Sequence, residues 1–114
     1  MVTASEYINT TITGNATIAA ALTNGFYWEL APEDTATPFA TYRIIENPAR
    51  TKSFSGAYEV SVFVWDATLR AAATVADTIK AEVPQAWRYT QGRSGYTSTD
   101  AKEAYIELLF TFNI

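Results

Sequence analysis

Every even position from Ala104 to Ile114 is apolar: Ala104, Ile106, Leu108, Phe110, Phe112 and Ile114. Period-two alternation sends these side chains to one face of a strand, so the segment must lie on a core, while Glu103, Glu107, Thr111 and Asn113 look elsewhere. The same alternation appears in Tyr58, Val60, Val62 and Val64, within a strand expected from Ala57 to Trp65. Between the two the period changes. Leu69, Ala72, Ala73, Ala76, Ile79 and Val83 form one stripe at helical spacing, with Arg70, Thr74, Asp77 and Lys80 left for water. Asp66 or Thr68 is placed to cap that helix, Asp77 and Lys80 are spaced to pair, and Pro84 marks its stop. A sheet covered by one amphipathic helix is therefore the frame.

The remaining segments add smaller pieces. Tyr7, Ile8 and Ile12 are spaced for one side of a short helix, opened by Thr3 or Ser5, and Asn15 can cap a second helical piece through Leu22, stopped by Asn24-Gly25. Phe26-Tyr27-Trp28 is an apolar, β-prone cluster, and residues 31–38 read as a loop between two prolines. Phe39 to Glu46 is a strand candidate ended by Asn47-Pro48, with apolar residues on both parities, so its inward face stays open. Residues 49–56 read as a hairpin connection, Trp87 to Gln91 as a strand, Gly92-Arg93-Ser94-Gly95 as a flexible turn, and Tyr96 to Ala101 as a polar lead into the last strand. The expected fold is α+β: an antiparallel sheet of about four to five strands, one main helix on one face and short N-terminal helices. Residues 1–114 form one domain, because a chain of this length buries about two thirds of its unfolded surface.

Composition narrows the chemistry. The chain has no cysteine and no histidine, which removes disulfides, thiolate catalysis, cysteine zinc sites and the commonest neutral-pH proton shuttle. No catalytic residue, metal or cofactor is expected. Glu103, Glu107 and Glu59 are available for acid-base work, but as charges on a solvated sheet face they do not converge on a cleft. Gly92-x-x-Gly95 lacks the Lys-Ser/Thr of a phosphate loop. A net charge of −4 with eight scattered Lys and Arg argues against sequence-specific nucleic-acid binding. No apolar run approaches the ~20 residues that span a bilayer, so no membrane partner is expected. Residues 1–10 show neither the basic nor the apolar region of a signal peptide, which predicts a soluble cytosolic chain. The Asn-x-Thr triplets at Asn9 and Asn15 would matter only in a secreted eukaryotic protein.

The second sheet face carries the candidate site. Opposite the valine face stand Glu59, Ser61, Phe63 and Trp65, and opposite the terminal core face stand Tyr105, Glu107, Leu109 and Thr111. One helix stripe covers only one side of a sheet, so Phe63, Trp65, Tyr105 and Leu109 need cover from Phe26-Tyr27-Trp28 or from another subunit. Arg50, Lys52 and Phe54 in the hairpin connection, with Arg93, are charges and an aromatic that can reach acidic surfaces of neighbouring subunits; solvated loop residues are the plainer account.

The order of segments resembles the bacteriophage tail-completion family, which is similar to tail terminator and head-tail joining proteins of long-tailed phages. The residues that carry the likeness are the stretch from Thr13 to Leu22, then Phe26-Tyr27 and Pro32, then Pro38-Phe39-Ala40-Thr41-Tyr42. Val62-Phe63-Val64-Trp65-Asp66, the small-residue helix of Ala71 to Val83, and the closing hairpin with its alternating strand complete it. The resemblance implies a structural virion protein without enzyme activity, made in the bacterial host cytoplasm and placed at the tail or head-tail junction. It implies a ring of copies, commonly about six, that caps the tail tube, halts its growth and docks the head connector. Phe63, Trp65, Tyr105, Leu109, Arg50, Lys52, Phe54 and Arg93 would then be interface residues, and a mildly acidic channel would let DNA pass without sticking. A small monomeric ligand- or peptide-binding module using the aromatic face is the alternative, and a remnant enzyme using carboxylates is the third reading.

Overall fold

A computed structural model describes residues 2–31, 35–46, 57–96 and 104–113. Three helices, α1 (Val2–Thr13), α2 (Ala16–Ala21) and α3 (Leu69–Glu82), accompany five strands: β1 (Phe26–Trp28), β2 (Phe39–Glu46), β3 (Ala57–Asp66), β4 (Arg88–Tyr96) and β5 (Ala104–Asn113). The strands form one sheet in the order β1-β2-β3-β5-β4. The fold is α+β as the sequence predicts, and the four longer strands pair antiparallel. The sheet is mixed, however, because β1 runs parallel to β2.

Registers settle the faces. Tyr42 lies opposite Val62 and Val62 opposite Leu108, which puts Ala40, Tyr42 and Ile44 of β2 on the same face as the β3 valines and the even positions of β5. That face is the core, where Val60, Val62, Val64, Leu108, Phe110 and Phe112 are all buried. Each such side chain contributes about 1.5–3 kcal/mol on leaving water. On α3 the buried side is Ala72, Val75, Ala76 and Ile79; Val75 joins the predicted stripe, while Leu69, Ala73 and Val83 sit at its half-exposed margin. Thr68 is the N-cap, accepting from the Ala71 amide at 3.1 Å, and the helix stops at Val83 before Pro84.

All three helices lie on this one face. Ser5 of α1 bonds to the Tyr42 hydroxyl at 2.8 Å, Tyr7 packs 5.3 Å from the Phe112 ring, and α2 lies against α3. The helix begins at Val2, so Thr3 and Ser5 are interior residues and not caps. Ser5 is buried with its hydroxyl satisfied by tertiary structure, which outweighs its local preference for a cap. Asn15 caps α2 as expected, its Oδ1 accepting from the amides of Thr17 and Ile18 at 3.0 and 3.1 Å. The chain then turns at Gly25, whose φ of 114° is open to glycine and strained for other residues.

The second correction concerns Gly92-Arg93-Ser94-Gly95, which is strand and not turn, paired to β5 from Leu108 to Tyr105. Aromatic neighbours explain it. The Tyr89 hydroxyl lies where a Cβ on Gly92 would point, and the Tyr105 ring covers Gly95 in the same way, its Oη 2.9 Å from that position. Rings laid over glycines supply the packing that glycine itself lacks in a sheet. Between Tyr89 and Gln91 a bulge shifts the register, and Thr90 uses its hydroxyl to bond the Leu109 carbonyl at 3.1 Å. The connections predicted at 49–56 and 97–101, with Arg50, Lys52, Phe54 and Ile114, lie outside the described residues.

Candidate assembly surfaces

No helix among the described residues covers the sheet face opposite the helices, the open face, although Phe39, Thr41 and Ser61 on it are buried. It carries Phe39, Thr41, Arg43 and Ile45 of β2, Glu59, Ser61, Phe63 and Trp65 of β3, Tyr105, Glu107, Leu109 and Thr111 of β5, and Arg88, Gln91 and Arg93 of β4. Phe26-Tyr27-Trp28 does not cover it. That segment is β1, which extends the sheet sideways, with Phe26 stacked 4.5 Å from Tyr42 on the helix side. The expectation that the aromatic tripeptide is one possible cover therefore gives way to strand pairing, in which main-chain hydrogen bonds hold it in the plane of the sheet.

Four of the predicted interface residues come together here. Phe63, Trp65 and Tyr105 form a cluster with ring centroids 6.2 Å (Phe63–Trp65), 6.0 Å (Phe63–Tyr105) and 5.3 Å (Trp65–Tyr105) apart, and Phe39 stacks on Trp65 at 6.2 Å. Leu109 lies further along β5, opposite Ser61. All four are half-buried, and no helix among the described residues packs over them. The Trp65 indole donates to Thr41 Oγ1 at 3.2 Å, which fixes the ring flat on the sheet. Arg93 joins the same face, with its Nε 3.3 Å from Glu107 Oε1.

Of the three carboxylates considered for acid-base work, Glu103 lies outside the described residues, and Glu59 and Glu107 stand apart. Glu59 lies opposite Thr111, four residues along β5 from Glu107, a separation of about 13 Å at strand rise. Among the described residues no group of three or more Asp and Glu side chains is arranged to hold a metal ion. No helix among them is long and apolar enough to cross a membrane. A recess of about 230 Å³ beside the aromatic cluster is lined by Glu29, Thr41, Tyr42, Arg43, Phe63 and Trp65, and Glu29 pairs with Arg43 across its rim at 3.4 Å.

Two features of the edges carry no signal in sequence periodicity. At the β1 edge Trp28 and Leu30 are exposed, and at the β4 edge a groove opens between α3 and the sheet, with exposed Tyr89 at its mouth. Nothing in a three-residue strand announces that it stands at an edge.

No protein-family model matches the chain, and no curated protein matches it either. In solved structures its fold is similar to that of a chain in the virion of a native gene transfer agent (GTA) particle, with a TM-score of 0.66 at 13% identity, covering 91% of this chain and 88% of that one. At that identity the likeness is one of fold.

Proposed function

We propose that this protein is a structural component of a phage-like particle, forming a ring at the end of a tail tube that ends tail growth and joins tail to head. The observation that carries the proposal is the fold shared with a chain of the GTA virion over nearly the whole length of both. The sheet face opposite the helices supports it: a cluster of aromatics with an Arg beside it is the composition enriched at protein interfaces. On this reading Phe63, Trp65, Tyr105, Leu109 and Arg93 meet neighbouring subunits of the particle, and Arg50, Lys52 and Phe54 extend that contact from the 49–56 connection. The tail tube and the head connector are the partners. The net charge of −4 suits a ring through which DNA slides.

The test is mass in solution by light scattering over a wide concentration range, followed by electron microscopy of the protein mixed with purified tail tubes. A closed ring, or a cap on tube ends that stops their growth, is the expected result. A strict monomer that leaves tubes uncapped would overturn it. The recess beside Trp65 favours the second reading, a small binding module, which expects a monomer whose tryptophan fluorescence changes when a small aromatic or peptide ligand is added.

A further inference from the structure

The two lateral edges of the sheet differ: exposed apolar groups stand at β1, and a groove opens beside β4. At the β1 edge Glu29 has φ 68°, and the Leu30 amide donates back to the Trp28 carbonyl at 2.8 Å. This is the positive-φ γ-turn, a rare and strained conformation for a residue with a side chain. The Glu29 amide, held at 2.8 Å by the Tyr42 carbonyl, locks it in place. Trp28, on the helix-covered side by its register with Tyr42, is 43% exposed, and Leu30 beyond the turn is 81% exposed. Strain spent on holding two large apolar groups in water is a cost that a partner removes.

At the opposite edge lies a groove of about 280 Å³ between α3 and β4. Ile106 and Leu108 form its floor, Ala73 and Ala76 its helix wall, and Gly92 and Ser94 its strand wall. Asp77 and Lys80 stand on its rim, with the Lys80 ammonium 4.6 Å above the Tyr89 ring. The outer edge of β4 has no strand beside it among the described residues; it contains neither proline nor lysine, and its one bulge, between Tyr89 and Gln91, leaves Gly92 to Tyr96 in regular register. Four strand spacings, about 19 Å, separate β1 from β4, so the knob cannot reach the groove of its own chain.

We propose that a second copy of this chain adds its β1 edge to β4, seating Trp28 in the α3–β4 groove. The inference rests on the ring reading and names its lateral contact. Strand directions agree: β1 runs with β2, and alternation through β3 and β5 makes β4 run opposite to β1, so the added strand pairs antiparallel. Side-chain parity agrees as well. With Trp28 on the helix side over Ser94, next to the Tyr89 hydroxyl that covers Gly92, Glu29 stays on the open side where it pairs with Arg43, and there it comes beside Arg93, so that opposite charges meet. Glu29 already pairs with Arg43 and Arg93 with Glu107, so the seam joins two ion pairs into one alternating row. A contact between two different patches repeats head to tail, which is what a closed ring needs.

The cysteine-free chain makes the test direct. Leu30→Cys and Ser94→Cys proteins are mixed and treated with a short bismaleimide, with Arg70→Cys on the solvent side of α3 replacing Ser94→Cys as the control. Mixed dimers from Leu30→Cys and Ser94→Cys, above the control, are expected. Trp28→Ala, a change at an exposed position, is expected to raise the concentration for half-assembly about tenfold or more with an unchanged circular dichroism spectrum. An assembled species without the mixed cross-link would overturn this contact and leave the ring standing. A monomer at all concentrations, with no cross-link, would overturn the contact and self-assembly together.

Discussion

The indole Nε1 of Trp87 donates to the Tyr7 hydroxyl at 3.0 Å, joining residues 80 positions apart. Trp87 is almost fully buried, stacked 5.2 Å from Phe112 and tilted against Phe110 at 5.7 Å. The bond thus ties α1 to the root of β4 at a point where both meet the core. Tyr7→Phe leaves the indole N–H without its acceptor and is expected to cost about 1 kcal/mol. Trp87→Ala also opens a cavity and is expected to cost about 3–5 kcal/mol. Urea unfolding midpoints distinguish the two.

Asn15 works twice. Its Oδ1 caps α2, and its Nδ2 reaches Glu82 Oε1 at 3.3 Å at the end of α3. Asn15→Ala is expected to destabilise the protein by about 1 kcal/mol, and Thr68→Ala at the start of α3 by a similar amount. Thermal unfolding of the two single variants and the double variant should show additive losses, since Asn15 touches α3 only at the end opposite Thr68 and the two share no partner.

Gly25 stands at φ 114°, and a Cβ there would come within 2.5 Å of the Tyr27 hydroxyl. Gly25→Ala is therefore expected to cost more than about 1 kcal/mol, the opposite of the small gain that this change brings at an ordinary backbone position. Denaturant titration gives the sign.

Leu109→Asp on the open face is expected to keep the fold and weaken self-association, with the β1–β4 seam left in place. Trp65→Asp should do the same at some cost in stability, because it also strips Thr41 of its donor. Mass by light scattering, read beside circular dichroism, decides. Global unfolding by Leu109→Asp would mark the position as core and remove it from the interface.

Arg93 and Glu107 form a partly exposed pair, and Arg93→Ala is expected to change stability by less than about 1 kcal/mol. Its effect should appear in assembly, as a weaker dependence on salt concentration, measured by the same scattering experiment.

Much of this was legible in the residues. The even positions of β5, the valine face of β3, the stripe of α3 and the Asn15 cap all follow from side-chain period and local hydrogen bonding, and each recurs in the structure. Phe63, Trp65, Tyr105 and Leu109 also shared a face by parity alone. Gly92 to Gly95 misled, because two glycines in four residues signal a turn unless rings from elsewhere lie over them, and Tyr105 arrives from the neighbouring strand. Ser5 misled for a related reason: its partner, Tyr42, is 37 residues away.

Periodicity and capping are local, so the sequence by itself determined β2, β3, β5 and the helices, and which sides of β3, β5 and α3 are apolar, while the second half of β4 was left to tertiary packing. Which side of β2 faces inward, the parallel seat of β1 and the gathering of all three helices on one face were decided only by tertiary structure. These depend on register between strands distant in sequence, where a shift of one residue exchanges the two faces. That long-range choice puts every helix on the face opposite the aromatic cluster, and it sets the knob at Trp28 and the groove beside β4 on opposite edges of one sheet.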